Sequence, residues 1–374
     1  MTVALIAYYL GPRLGIGQYL DRLLPPLAKA LSERYIPFTI LSSPNALANT
    51  PALQQLSENC VTVLPELDYA PTRRYLWLAT QFRQYCDRNN IKVVTWLSNP
   101  VLLPWHPPTV AVIHDVNEWK AKEKYGSRLK TALRSFIYLE ASIRLSKEIV
   151  AVSQATADDL LHFRPNATLK HKLKVISNGA DSSLASLPPV KLSHSGKPYI
   201  LSVGRIDPAA KRLPEALQLV QALREQSGQP WELQLVGGMN TSTKAEGESF
   251  IQKVEALEWV HYQGHVDDHT LAQWYRQAAA VIYLSDNEGF GLPIAEAASF
   301  KKWAIVSAAN QAALEVGQGS IIPVKTQDPA AGAQQTLKQL SSSAEASSIQ
   351  SLPTWQTAAH AYAKDLQYWH NSIA

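Results

Sequence analysis

Residues 285–297 read SDNEGFGLPIAEA and connect an apolar run, residues 280–284, to a helix-forming run that starts at Pro293. Proline is favoured at the first helical position, and Gly289 and Gly291 allow a tight turn with open backbone amides. A helix N-terminus of this kind attracts an anion such as phosphate. The stretch therefore predicts a strand–turn–helix unit of an α/β fold, with an anion site at the turn.

Two carboxylates flank this turn, Glu288 within it and Glu296 in what we expect to be the first turn of the helix. Carboxylates do not bind phosphate, but they accept hydrogen bonds from hydroxyls. A ligand that is part phosphate and part sugar suits such a site. The plainer interpretation is an ordinary strand–turn–helix in which Glu296 only complements the helix dipole.

The pattern of Glu, seven residues and Glu, with GFGLP between them, resembles the signature of the retaining glycosyltransferase family 4. The resemblance implies the GT-B fold, in which two Rossmann-like doubly wound domains face an interdomain cleft and use a nucleotide-sugar donor. It assigns Glu288 to hydroxyls of the transferred sugar and Glu296 to the ribose hydroxyls. The remaining donor-binding residues implied in this stretch are Gly289, Phe290, Gly291 and Leu292.

Composition indicates a globular protein of two ordinary domains. The chain has 374 residues, 46% of them hydrophobic and 18% charged, which is too long for one typical core. The two cysteines give neither a disulfide framework nor a metal-ligand pattern. The N-terminus has no basic leader and no apolar run is long enough to cross a bilayer, so we expect a soluble cytoplasmic protein.

The charge is unevenly distributed. Residues 1–180 contain 21 Lys and Arg against 13 Asp and Glu, whereas residues 181–374 contain 14 against 18. The basic excess is concentrated between Lys120 and Lys147. Its plainer interpretation is a solvated helix face; the functional one is a surface that holds the first domain against anionic lipid on the inner face of the membrane, or against a phosphorylated acceptor.

Apolar runs alternate with amphipathic stretches, a pattern typical of parallel α/β sheets. The predicted strands are 3–8, 37–41, 61–64, 92–96, 110–113, 148–152, 174–176, 199–203, 232–236, 260–262, 280–284, 304–306 and 320–323. The predicted domains are an acceptor-binding domain at 1–182, a nucleotide-sugar-binding domain at 183–354, and a last helix at 355–374 that packs back on the first domain. Each domain opens with a strand, a glycine turn and a helix. The helix is predicted to start at Gln18 in the first domain and near Leu213 in the second.

Glycosyl transfer leaves negative charge on a departing diphosphate, which a metal or fixed cations must neutralise. The sequence has no Asp-x-Asp pair and no His/Cys cluster. We therefore expect no metal and no cofactor, with Arg205 and Lys211 as the cations that follow the strand at 199–203. The plainer interpretation is a pair of exposed surface cations at a helix start.

Residues 204–212 read GRIDPAAKR, which is similar to the Gly-Arg, Pro, Lys pattern of family 4 but appears one residue longer before Lys211. The resemblance implies that Gly204 and Arg205 approach the diphosphate. It leaves open whether Lys211 or Arg212 binds there, and we favour Lys211.

The resemblance extends along most of the chain. Gly15 and Gly17 are expected to form the turn after the first strand, with Leu14 replacing a family glycine. His114 follows an apolar strand and resembles the family histidine near the donor sugar, although a lone histidine is more often a packing residue. Further weak matches are 151–160, 178–181, and the donor-side loops with Gly237 and Val266.

These residues predict a retaining hexosyltransferase, mannosyl or glucosyl, that uses a GDP- or UDP-linked donor and a saccharide or lipid-linked acceptor. The resemblance implies that the leaving phosphate takes the acceptor proton, so no general base is assigned. The rival interpretation is a catalytically silent GT-B scaffold, which is expected to lose Arg205, Lys211, Glu288 or Glu296. An NAD enzyme lacks its Gly-x-Gly-x-x-Gly fingerprint here, and no nucleic-acid-binding module is recognisable.

Overall fold

Each apolar run predicted as a strand forms one. The computed structural model describes residues 2–9, 15–98, 102–120, 135–180, 183–239, 244–342, 346 and 353–373. The chain divides into two units, Met1–Gly179 with Pro353–Ala374, and Ala180–Leu352. Strands buried on both faces of a parallel sheet read as continuous apolar runs, which is why these segments were recognisable.

The first unit contains a parallel sheet of seven strands in the order β3-β2-β1-β4-β5-β6-β7. These strands are β1 Thr2–Ala7, β2 Phe38–Ser42, β3 Val61–Val63, β4 Ile91–Trp96, β5 Thr109–Ile113, β6 Glu148–Ala151 and β7 Leu173–Val175. The α-helices are Gly15–Glu33, Pro44–Asn49, Pro51–Cys60, Pro71–Thr80, Phe82–Arg88, Asn117–Lys120, Ala141–Leu145, Gln154–Phe163, Ala167–Lys172 and Trp355–Ile373. Pro65–Asp68 forms a 3₁₀ turn and Phe136–Glu140 a π-helical turn.

The last helix, Trp355–Ile373, packs within this first unit. The Tyr19 and Tyr362 hydroxyls are 3.1 Å apart, which joins it to the first helix of the chain. Lys174 Nζ lies 2.8 Å from both the Glu148 and the Asp365 carboxylates, which joins it to β6 and β7.

The second unit contains a parallel sheet of six strands in the order β10-β9-β8-β11-β12-β13. Its strands are β8 Tyr199–Val203, β9 Glu232–Val236, β10 Val260–Gly264, β11 Ala280–Tyr283, β12 Trp303–Ser307 and β13 Ile321–Val324. The α-helices are Leu213–Ser227, Lys244–Val254, Asp268–Gln277, Leu292–Ser299, Gln311–Val316 and Pro329–Ser341, with a 3₁₀ turn at Ser183–Ser186. The core is apolar and includes Ile200, Leu233, Ile282 and Ile305.

Both strand orders reverse direction once, between β1 and β4 and between β8 and β11, which confirms the predicted doubly wound α/β sheets. In such sheets the crevice beyond the strand ends at the reversal point is where ligands bind. In the second unit, two predicted site residues lie at this reversal point. Gly204 follows the end of β8, and Glu288 lies in the loop after β11.

The start of the first helix was predicted three residues too late. The first helix begins at Gly15 and not at Gln18, so Gly15 and Gly17 are helical and do not form the turn after β1. Gly17 is buried with Tyr19 and Leu20 on the apolar face, so the packed face of the helix starts earlier than the sequence suggests.

Candidate active site

The end of β8 and the end of β9 approach each other through two glycines. Gly204 has φ of 139° and Gly237 has φ of 146°, conformations that L side chains rarely adopt. A Cβ on Gly237 would lie 1.9 Å from the Gly204 carbonyl oxygen. The Gly237 amide also donates to the Gly264 carbonyl at 2.8 Å, two residues before the half-buried Val266. Glycine is thus required where the three strand ends converge.

A small pocket opens beside this crossing. It is lined by residues 202–206, Lys211, Leu213, Ile282 and Tyr283. Arg205 contributes its guanidinium, which is held by Asp207 with 2.9 Å between Nη2 and Oδ2. The Arg205 Nε is buried and, among the residues that the structure describes, has no hydrogen-bond partner. A buried donor without a partner is costly unless a ligand supplies an acceptor.

Lys211 is the second cation of the pocket. The turn that carries it is closed by Asp207, whose carbonyl accepts from the Lys211 amide at 2.9 Å and whose Oδ1 accepts from the Ala210 amide at 3.1 Å. Its Nζ donates to the Glu288 carboxylate and, at 3.0 Å, to the Tyr283 hydroxyl. The predicted cation and the predicted sugar-binding carboxylate are therefore in direct contact.

This ion pair is largely buried, since the Lys211 and Glu288 side chains are only 17% and 19% exposed. Burial alone would lower the pKa of Lys211, but the Glu288 charge and the hydrogen bonds to Glu288 and Tyr283 outweigh it and raise that pKa. Burial alone would raise the pKa of Glu288, but the Lys211 charge and hydrogen bond lower it below its ordinary value. Both groups are thus charged at neutral pH.

Arg212 points elsewhere. It adopts a left-handed conformation with φ of 48° at the start of the helix Leu213–Ser227. Its guanidinium pairs with Glu215 at 2.8 Å and with Asp286, whose other oxygen accepts from the Ser307 hydroxyl. Two carboxylates already neutralise Arg212, and it does not line the pocket.

The helix that follows the motif begins at Leu292, after Gly291 at φ of 93°. Glu296 is the fifth helical residue, so the expectation that it lies in the first turn was wrong. Glu296 is 1% exposed, and its Oε2 accepts from the Tyr275 hydroxyl at 2.7 Å. Gly289 and Phe290 are also buried.

Two predicted site residues belong to the first unit. His114 follows β5, and its Nε2 donates to the Leu97 carbonyl at 2.8 Å while its ring contacts Tyr19 edge-on. Burial lowers the pKa of His114, with the Leu97 hydrogen bond and the Asp115 charge opposing it, so the imidazole is neutral at pH 7. Gly15 is exposed.

Some sequence predictions lie outside the described residues. These are Leu14, Asp181 and half of the basic segment, residues 121–134. In the described ranges no group of three or more His, Cys, Asp or Glu side chains is arranged to hold a metal. Where helices are described, none combines the length and apolar character needed to cross a membrane.

Sequence reasoning missed Tyr283, Asp207 and Asp286, which hold the three cations of this region. Asp207 had a recognisable signal, because Asp before Pro favours a turn closed by its own carboxylate. Tyr283 had none, since it is one apolar-strand residue among several.

Comparison with known proteins agrees with this architecture. The profile of Glycosyltransferase Family 4 matches residues 25–184, and that of Glycosyl transferases group 1 matches residues 186–348. The O-antigen chain mannosyltransferase B of Escherichia coli is 26% identical over 196 residues, which cover 51% of this chain and 50% of that protein. The alignment thus spans about half the length of this curated relative.

Solved structures show the same fold. Sucrose-phosphate synthase from Thermosynechococcus elongatus has a TM-score of 0.70 at 18% identity, with all of both chains covered. HepE from Anabaena, solved with UDP and glucose, has a TM-score of 0.62 at 17% identity, covering 100% of this chain and 98% of that one. These likenesses confirm the predicted GT-B fold class. Because the two profiles together match nearly the whole chain, it belongs to the glycosyltransferases that combine a Family 4 domain with a group 1 domain.

Proposed function

We propose that this chain is a retaining hexosyltransferase that moves a mannosyl or glucosyl residue from a nucleotide-diphosphate sugar to a saccharide or lipid-linked acceptor. The observation that carries the proposal is the pocket at the reversal point of the second sheet. It is lined by Arg205, whose buried Nε has no described partner, and by Lys211, whose ammonium contacts Glu288. Fixed cations suit a diphosphate, and a carboxylate suits sugar hydroxyls.

The donor would place its diphosphate against Arg205 and Lys211. The bond between the anomeric carbon and the phosphate oxygen breaks, and the acceptor oxygen forms the new bond to that carbon. The acceptor proton passes to an oxygen of the departing diphosphate, as the family resemblance implies. Negative charge on the diphosphate grows during this step, so preorganised cations stabilise the transition state more than the bound donor.

The carboxylates would orient the two sugars of the donor. Glu288 takes hydroxyls of the transferred hexose in place of part of its contact with Lys211. Glu296, together with Tyr275, takes the ribose hydroxyls. A phosphate or hexose oxygen would bind near the start of the helix Leu292–Ser299, where the helix dipole favours negative charge. In the first unit, neutral His114 would hydrogen-bond the hexose without adding charge.

Two relatives guide the choice of donor. The curated relative is named a mannosyltransferase, which supports mannose, and the HepE structure contains UDP and glucose, which supports glucose and a uridine carrier. Both similarities are distant. The base and the hexose are therefore best determined by screening GDP-mannose, UDP-glucose and related donors.

We propose that the reaction needs no metal, because two fixed cations line the pocket. The deciding experiment measures donor hydrolysis across the panel, with and without EDTA, in the wild-type protein and in Arg205→Ala. We expect one donor to be turned over equally in EDTA and at least a hundredfold more slowly by the variant. Failure of every donor, with no thermal stabilisation by UDP or GDP, would instead favour the silent scaffold.

We further propose that the first unit binds the acceptor and that its basic segment meets anionic lipid. Lys120 and Lys147 bound this segment. Sedimentation with vesicles of phosphatidylglycerol and phosphatidylcholine tests it, since binding should fall as salt screens the charges. Equal binding to neutral vesicles would argue against the electrostatic contact.

A further inference from the structure

Tyr283 is the last residue of β11 and forms part of the pocket wall. The residue is 7% exposed, and its backbone is paired with Val306 of β12. The ring is thus buried at the end of a paired strand. No role was assigned to it from the sequence.

The Tyr283 hydroxyl and the Glu288 carboxylate are both hydrogen-bond acceptors of Lys211. The hydroxyl accepts from Lys211 Nζ at 3.0 Å, and the same Nζ donates to the Glu288 carboxylate. The Lys211 ammonium also lies 4.8 Å from the centre of the Tyr283 ring, within cation–π range. Burial raises the pKa of Tyr283, so the hydroxyl that accepts from Lys211 stays protonated and neutral.

The two partners of Lys211 differ in what happens when a donor binds. Glu288, in its proposed role, turns part of its hydrogen-bonding capacity to sugar hydroxyls. Tyr283 is anchored in a central strand and has no other described task. A lysine side chain has a long flexible stem, so a rigid acceptor at its end reduces the number of positions that the ammonium samples.

We propose that Tyr283 is a positioning residue for glycosyl transfer, whose hydroxyl and ring hold the Lys211 ammonium against the departing diphosphate while Glu288 engages the sugar. This inference rests on the proposed function. Tyr283 acts through Lys211, so its effect should disappear when Lys211 is removed.

The test is a double-mutant cycle of Tyr283→Phe and Lys211→Met. Phenylalanine keeps the ring and its packing and removes only the hydroxyl. One hydrogen bond to a charged group corresponds to about a tenfold effect. We expect kcat to fall about tenfold in Tyr283→Phe while donor KM changes far less, because the lost interaction is strongest in the transition state.

In the Lys211→Met background, the same Tyr283→Phe change should have no further effect. If Lys211→Met leaves too little turnover, the cycle is run on the dissociation constant of the nucleoside diphosphate that the wild-type protein binds, UDP or GDP. Wild-type kcat in Tyr283→Phe, or an undiminished effect without Lys211, would overturn the proposal.

A matched control is Tyr199→Phe. Tyr199 is also buried, lies on the adjacent strand β8, and donates to the Trp274 backbone carbonyl at 2.7 Å, outside the pocket lining. It should lose some stability but keep its kcat. An equal loss of kcat in both variants would show that Tyr283 is merely structural.

A measurement without donor separates this inference from the proposed function. Competitive acetylation with acetic anhydride, read by mass spectrometry, reports how freely the Lys211 amine reacts. Loss of the hydroxyl should raise Lys211 labelling about fivefold in Tyr283→Phe. If wild-type protein turns over no donor, the proposed function fails; if Lys211 labelling is unchanged, the positioning contact fails.

Discussion

Replacing Lys211 with methionine removes a charge from a pair that is mostly buried and keeps the aliphatic stem. Breaking one partner of a fully buried ion pair costs about 3–5 kcal/mol of unfolding free energy. Because Lys211 and Glu288 keep 17% and 19% of their exposure, solvent screens part of the cost, and we expect about 2 kcal/mol. For a domain of this size that corresponds to a melting temperature lower by about 4–8 °C.

The double variant Lys211→Met with Glu288→Gln should recover most of that stability, since it replaces the ion pair with two neutral side chains of similar size. It should not recover turnover, which we expect to fall a hundredfold to a thousandfold in both, in line with about 3–4 kcal/mol of lost transition-state stabilisation. Stability is measured by urea denaturation and thermal melting, and turnover with the best donor. Lys244→Met is the control, because the Lys244–Glu248 pair is 65% and 58% exposed and should contribute less than about 0.5 kcal/mol.

The stability difference should also depend on pH in a defined direction. The pKa of Glu288 is lowered in the folded protein, so the stability that it contributes is present above the ordinary carboxyl pKa. That contribution is lost as the pH falls through the lowered pKa. The gap between wild type and Lys211→Met should therefore narrow in acid. A gap that is absent at neutral pH, or a double variant as unstable as the single one, would refute the reasoning.

Three further changes test the site. Arg212→Ala should retain turnover within about tenfold, because Asp286 and Glu215 already neutralise Arg212. A loss of turnover equal to that of Lys211→Met would show that Arg212 also takes part in the reaction. Gly237→Ala should lower unfolding free energy by more than about 3 kcal/mol, since the new Cβ would lie 1.9 Å from a carbonyl oxygen, whereas a Gly238→Ala control meets nothing closer than 4.0 Å. Arg205→Lys should bind UDP or GDP at least tenfold more weakly, because lysine cannot reproduce the planar guanidinium; unchanged binding would remove Arg205 from the diphosphate site.

The fold could be read from the sequence because strands buried on both faces leave apolar runs. The runs at 199–203 and 232–236 became β8 and β9 with the predicted bounds. Helix starts were less accurate. Glu296 was predicted to lie in the first turn of its helix. It lies beyond that turn, because Gly291 takes the left-handed conformation and the helix starts at Leu292.

The interior of the site was only partly predictable. Lys211 and Glu288 were each identified from local patterns, but their contact joins positions far apart in the chain and depends on β8 lying beside β11. Which of the adjacent cations Lys211 and Arg212 lines the pocket could not be read from the sequence, because it depends on the backbone, where Arg212 has a positive φ. The contact of Tyr283 with Lys211 could be found only from the tertiary structure.

The most direct test of the account is a crystal structure with the nucleoside diphosphate that binds, UDP or GDP, grown with and without manganese. We predict that diphosphate oxygens lie about 3 Å from Lys211 Nζ and from the Arg205 guanidinium in both crystals. A diphosphate held away from both cations, or bound only through a manganese ion on carboxylates, would contradict it.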